Sequence, residues 1–179
     1  MRLYTCMQSP LGDLLLTSDG SSLTGLFMLD RVDMAERDGW IQDDNATPFE
    51  ETKRQLAAYF SGELTEFGLP MELTGTDFQK RVWESLKSIP YGTTISYGEQ
   101  AKRIGNPNAS RAVGLANGKN PISIIVPCHR VIGSNGKLVG YGGGLSRKEN
   151  LLNFEAMVNV NGAYQMTVMS RNSLFEVGR

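Results

Sequence analysis

The sequence predicts a mixed α/β (α+β) chain in two parts. A small unit of sheet and helix spans 1–74, and a mainly helical unit spans 75–159. Three observations predict this. Two apolar runs flank a Ser18-Asp19-Gly20-Ser21 cluster, the pattern of a β-hairpin. Apolar residues recur at helical spacing from Phe49 onward. A third apolar run, Ile124-Ile125-Val126, ends at Pro127-Cys128-His129-Arg130 and reads as a buried strand stopped by a proline, which cannot donate to a ladder.

The elements follow in order. Residues 12–17 and 23–28 are the hairpin strands, and 30–46 is acidic and weakly patterned, a surface excursion. A helix over 49–60 places Leu56, Tyr59 and Phe60 on one face, with Gly62 just past its end. Residues 64–73 form a short extended link, and the boundary falls near Gly75. Thr76 or Asp77 caps the next helix, whose stripe is Phe78, Val82, Trp83 and Leu86. Pro90-Tyr91-Gly92 stops it. Ser96 caps a helix over 97–104 that ends at Gly105. After the turn Asn106-Pro107-Asn108, a third helix starts at Asn108 or Ser110, with Val113 and Leu115 as its apolar residues. Two short helices joined by a tight turn match a helix-turn-helix. The third helix is nearly free of bulky groups: Ala109, Ser110, Ala112, Gly114, Ala116 and Gly118 let its backbone approach another surface closely. Arg111 is the one long cation among them. A short strand then carries Cys128, the glycine loop 140–144 follows, and a last helix runs over 146–157. The tail, 160–179, carries no readable role.

Composition narrows the function. With 40% hydrophobic and 21% charged residues the chain reads as an ordinary globular protein. No apolar run approaches the ~18 residues of a membrane span, and the N-terminal residues lack the apolar core of a signal peptide. Two cysteines, Cys6 and Cys128, are too few for a disulfide framework. One histidine and two distant cysteines do not make a structural zinc site, so no metal is expected. A reducing, cytoplasmic setting fits. The overall charge of −1 hides an asymmetry. Residues 1–74 hold 5 Lys/Arg against 13 Asp/Glu, a net −8, whereas 77–130 hold 8 against 3, a net +5. Either the second part meets a polyanion, or these are solvated helix faces.

Cys128 and His129 carry the chemistry. A free thiol has a pKa near 8.5, so a nucleophilic cysteine needs a base, a cation or a helix end beside it. His129 is adjacent and is the only histidine in the chain. On a strand, neighbouring side chains point to opposite faces, so a bridging water or a turn after Pro127 must connect sulfur and imidazole. A Cys-His pair alone is more often a buried structural cysteine beside a satisfied histidine than a catalytic pair.

The surrounding block changes the weight of the pair. Ile-Val-Pro-Cys-His-Arg-Val-Ile-Gly follows Asn120-Pro121 and precedes Gly140-Tyr141-Gly142-Gly143-Gly144 and Lys148-Glu149-Asn150-Leu151-Leu152. This arrangement closely resembles the O6-alkylguanine-DNA alkyltransferases, also called methylated-DNA–protein-cysteine methyltransferases. The similarity spans 75–157, including Gly75-Thr76-Asp77-Phe78-Gln79, Ser96-Tyr97-Gly98 and Ser110-Arg111-Ala112-Val113. Over 1–74 it is looser and rests on Ser9-Pro10-Leu11-Gly12 and the run from Leu56 to Gly62.

The resemblance implies a single-turnover DNA-repair protein that moves an alkyl group from O6 of guanine in double-stranded DNA, with O4-alkylthymine a further candidate, onto its own cysteine. It implies no cofactor, no membrane partner and a monomer in solution, and leaves cooperative assembly on DNA open. Cys128 matches the alkyl acceptor, His129 the base acting through a water, Glu155 the carboxylate orienting the imidazole, and Asn120 the amide holding the turn beside the nucleophile. Tyr97 matches the residue that rotates a phosphate and donates to guanine N3. Arg111 matches the finger that enters the base stack when the target is flipped out. Ala109, Ser110, Ala112 and Gly114 lie on the DNA-facing helix, expected in the minor groove with little sequence preference, and Ser96 joins Tyr97 among the expected DNA contacts. Tyr141, Gly142 and Gly143 match the loop closing the guanine pocket, with Val131 and Ser134 completing its wall and edge. Lys148 and Glu149 read as structural.

Two rivals remain. A lesion sensor that binds DNA without chemistry would lack the cysteine. A cysteine hydrolase would need a base from elsewhere in the chain.

Overall fold

The structure is a computed structural model and describes residues 2–161. Three strands build the first sheet from the N-terminus: β1 (Leu3–Met7), β2 (Leu14–Ser18) and β3 (Leu23–Met28). Each neighbour pair is antiparallel, with Thr5 opposite Leu16 and Leu16 opposite Leu26. The two residues of β4 (Ile41–Gln42) add in parallel to β1, giving the order β3-β2-β1-β4. The hairpin matches expectation. The sequence reading had missed β1 and β4, and 30–46 holds two one-turn 3-10 segments besides β4.

Helix α1 (Phe49–Phe60) buries Phe49, Leu56, Tyr59 and Phe60. The link beyond it is pinned to the outer edge of β3, where Leu23 N donates to Pro70 O and Glu72 N to Leu23 O. Farther along the same edge, Leu26 N donates to Pro121 O and Ser123 N to Leu26 O. The first sheet thereby holds the Asn120-Pro121 turn in place.

Helix α2 (Asp77–Leu86) starts at a full capping box, Thr76 Oγ1 accepting from Gln79 N and Gln79 Oε1 from Thr76 N. Ser96 caps α3 (Tyr97–Arg103) through Glu99 N, and α4 (Ser110–Gly118) follows the turn. Buried polar contacts fix these helices. Trp83 Nε1 donates to Ala116 O at 2.8 Å, and the amides of Gln100 and Asn117 bond each other. Val113 is buried as expected, but Leu115 points outward and is 73% exposed.

The apolar run Ile124-Ile125-Val126 is buried as expected, yet it is not a strand. Ile124 sits at φ +71, outside any strand conformation, and Val126 N turns back onto Ile122 O at 3.0 Å. Asn120 drives this loop, accepting from Ile122 N and donating to Val126 O at 2.7 Å. Cys128 therefore opens a 3-10 turn, Cys128–Arg130, and the strand β6 (Val131–Ile132) comes only after it. β6 pairs in parallel with β5 (Ile95–Ser96), which sets the start of α3 beside the cysteine turn. The last helix, α5 (Leu145–Asn161), runs about one turn beyond expectation. Residues 162–179 of the expected tail lie outside the described residues. One core joins both halves, with Leu16, Leu26, Leu56, Trp83, Val126 and Phe154 in a single cluster. Among the described residues no helix is long and apolar enough to cross a membrane.

Candidate functional site

Cys128 is 5% exposed at the start of its 3-10 turn, next to the loop that Asn120 organises. Burial pushes its thiol above the ordinary value, while the Asn120 amide and the Lys148 ammonium favour the thiolate. The sulfur thus lies in a site that resists ionisation until a proton acceptor and a cation act together.

His129 is fully buried on the same turn, and its Nε2 lies 2.7 Å from Glu155 Oε1. A carboxylate only accepts, so Nε2 carries a proton, and in the neutral ring Nδ1 is the bare nitrogen. Nδ1 is buried and meets no protein hydrogen-bond partner among the described residues. It is the nitrogen free to accept a proton.

Glu155, fully buried on α5, is crowded with donors. Oε1 accepts from Tyr59 OH at 2.8 Å, His129 and Arg130 Nη2 at 3.0 Å. Oε2 accepts from Arg130 Nε at 2.9 Å and Gly92 N at 3.2 Å. Burial would raise this carboxyl, but the charge and hydrogen bonds of His129 and Arg130 outweigh it and hold it well below the usual carboxylate range. Arg130 had been counted with the basic surface. It is buried, paired with Glu155 and bonded to Ile89 O, so it cannot meet a polyanion.

Lys148, expected to be structural, ties β6 to the residues that open the glycine loop. Its side chain is fully buried, and Nζ donates to Val131 O at 2.6 Å, Val139 O at 3.0 Å and Gly140 O at 3.2 Å. It also donates to Tyr97 OH at 3.3 Å. Burial lowers its pKa to about 8, partly countered by Cys128. The Tyr97 phenol is pushed up to about 12, chiefly by burial and then by the charge of Cys128, so it remains a proton donor. Tyr97 OH donates to Val139 O at 2.7 Å, which latches the glycine loop against α3.

In front of these groups lies an open groove of about 660 Å³. Tyr97, Ser110, Arg111 and Gly114 line it from the helices, and Ser134, Val139 and Gly140 from the facing loop. Ala109 stands at the N-terminal boundary of α4. Ala112 is exposed on α4, but neither it nor Ala109 lines the groove. Ser96 is spent on its cap. Val131, expected in a pocket wall, is fully buried and offers only its carbonyl, to Lys148. Tyr141 has its hydroxyl end buried near Cys128 and Ser123, and burial pushes its phenol well up. Gly143 packs so closely on the Tyr141 ring and Met28 that a Cβ would come within 2.7 Å and 3.2 Å of them, while Gly142 is exposed. Cys128 itself is not in the groove wall. It sits beside Tyr97 and Lys148, which connect it to that wall.

Sequence reasoning missed Lys148, Tyr59, Arg130 and Leu115. A lysine in the first turns of a helix, an aromatic on a core face and an apolar residue at helical spacing carry no local sign of these positions. Among the described residues no cluster of three or more His, Cys, Asp or Glu could hold a metal.

Comparison with known proteins shows the family. The model of the 6-O-methylguanine DNA methyltransferase DNA-binding domain matches residues 77–157, and that of the ribonuclease-like domain of the same proteins matches 2–73. A methylated-DNA–protein-cysteine methyltransferase of Mycobacterium leprae is 57% identical over 149 residues, 83% of this chain and 89% of its own. One from Methanosarcina acetivorans is 54% identical over 153 residues, covering 85% and 97%. The crystal structure of Mycobacterium tuberculosis OGT in complex with DNA superposes with a TM-score of 0.81 at 56% identity, covering 86% of this chain and 92% of that one.

Proposed function

The chain belongs to the 6-O-methylguanine DNA methyltransferase family, and from that premise we propose how its own residues carry out the reaction. It binds DNA and repairs it by transferring an alkyl group to a cysteine. That cysteine is Cys128, and O6-alkylguanine in a duplex is the donor. The observation that carries this assignment is the Cys128–His129–Glu155 set behind a groove lined by Arg111 and Tyr97.

His129 Nδ1 takes the thiol proton through a bridging water, and Glu155 orients the imidazole and stabilises its cation. The thiolate attacks the saturated carbon, the S–C bond forms, and the C–O6 bond breaks with its electron pair passing into the purine. Tyr97 releases its hydroxyl from Val139 and gives the purine a proton at N3. Lys148, whose pKa is lowered to about 8, restores that proton to Tyr97, solvent takes the one held by His129 and returns one to Lys148, and the N3 proton exchanges through water to N1. The products are a thioether and an intact guanine, so one chain repairs one lesion without a cofactor. The target base must leave the stack to reach Cys128, and Arg111 fills its place. Residues 75–159 form the unit that binds DNA and transfers the group, and 1–74 supports it. The protein acts as a monomer in a reducing cytoplasm that keeps Cys128 a thiol.

Intact mass after incubation with an O6-methylguanine duplex tests this. One methyl group appears on the Cys128 peptide and the duplex loses it. Cys128→Ala binds the duplex but gains no mass. Methylation of that variant, or none of the parent protein, overturns the assignment.

A further inference from the structure

Glu155 Oε1 is shared by three donors from two parts of the chain. His129 and Arg130 belong to the cysteine turn, but Tyr59 comes from α1, in the N-terminal half. Tyr59 is fully buried and is held edge-on by Phe60, Tyr91 and Phe154 at centroid distances of 5.3, 5.9 and 5.8 Å. Its hydroxyl therefore has little freedom to leave Oε1. An oxygen with two lone pairs that serves three donors gives each a weaker bond than it would give alone.

We propose that Tyr59 is a positioning residue of the transfer reaction: its hydroxyl competes with His129 for Glu155 Oε1 and limits how tightly the carboxylate holds a proton on the imidazole. The inference rests on the reading of His129 as the base. A base pinned by an undiluted carboxylate would be protonated over more of the working range and so unable to accept the thiol proton. The phenol never ionises in this role. Burial, and then the neighbouring Glu155, raise it well above its ordinary value, so it stays a donor throughout. The other charged or titratable groups around the pair are Arg130, which is bonded to Glu155 and lies against the Tyr91 ring at 5.4 Å, and Cys128 and Lys148 on the groove side.

The test uses the full chain. His129 is its only histidine, so isotope-labelled imidazole nitrogens report one residue without assignment. In Tyr59→Phe, which removes one oxygen and keeps the ring, the His129 titration midpoint moves up by about half a pH unit, the scale of one lost hydrogen bond. The acidic limb of the single-turnover rate–pH profile moves with it. The alkaline limb, where Lys148, Tyr97 and Cys128 titrate, stays in place. A purely structural tyrosine would lower thermal stability in this variant and leave both midpoints where they were. That result overturns the proposal. If Y59F does not fold, 3-fluorotyrosine placed at position 59 keeps the hydroxyl and makes it a stronger donor, so the midpoint falls. An unchanged midpoint there is equally fatal. Absence of methyl transfer in the parent protein would overturn the reading of the site, whereas transfer with unshifted profiles overturns only the role of Tyr59.

Discussion

Glu155 receives five hydrogen bonds on two oxygens, and that loading makes its charge a stability element besides the role proposed for it in the reaction. Its folded-state pKa lies below the unfolded value of 4.5, so the unfolded chain binds the extra proton. The stabilisation is complete above about pH 4.5 and is lost as pH falls below it. Glu155→Gln leaves Arg130 buried without a counter-charge, a loss of about 3–5 kcal/mol at pH 7. The gap to the parent protein should narrow by at most about 1.4 kcal/mol per pH unit below 4.5, because the parent loses what the variant never had. Denaturant midpoints at pH 7 and pH 3.5 measure this, and a constant gap would show that the carboxylate is not held as described. Cys128 and His129 stood out in the sequence because a thiol, a lone imidazole and a proline fall together. Glu155 carried no such mark, and only the family pattern promoted it. Lys148 reads as structural, but that its ammonium is buried under three carbonyls and a phenol is visible only in the structure. No periodicity distinguishes such a lysine from one in solvent.

At the scale of elements, α4 is built for close approach. Gly114 lines the groove, and a Cβ there would meet only the Tyr97 ring at 3.7 Å, an ordinary contact. Gly114→Ala should therefore raise thermal stability, by up to about 1 kcal/mol from helix propensity. The same methyl group would stand between the helix backbone and DNA and weaken duplex binding. Melting temperature and duplex affinity moving in opposite directions would support that reading, and unchanged affinity would place the DNA elsewhere. The helices were legible because each announces itself twice, by an apolar stripe and by a cap or stop: Thr76 for α2, Ser96 for α3, Gly62 after α1. The run 124–126 was not, since a continuous apolar stretch signals burial without fixing the backbone. There Asn120 decides, by bonding Ile122 and Val126 and closing a loop where a strand had been expected. Leu115 shows the same limit from the other side: its spacing fits a core stripe, but α4 turns it toward the groove.

Over the whole molecule, charge and shape point the same way. The acidic first half and the basic 77–130 segment separate opposite potentials along one chain, and Arg111 stands exposed in the groove on the basic side. Phosphate contacts made by this segment release counterions, so duplex affinity should fall steeply with added salt, and a flat response would remove the electrostatic argument. Arg111 has a second task that salt alone does not report. Among the described residues no ion pair holds it back. If it occupies the stack in place of the extruded base, its removal withdraws a repayment for an opening that costs a few kcal/mol. Arg111→Ala should then slow repair of an O6-methylguanine duplex by about 10- to 100-fold at saturating protein, at 1.4 kcal/mol per factor of ten. Attack on free O6-benzylguanine needs no extrusion. It uses the same Cys128, His129 and Tyr97, and should change little. Single-turnover rates on the two substrates separate the cases. Equal losses would mean that Arg111 acts on the chemistry itself. A loss that disappears at saturating protein would reduce Arg111 to a phosphate contact.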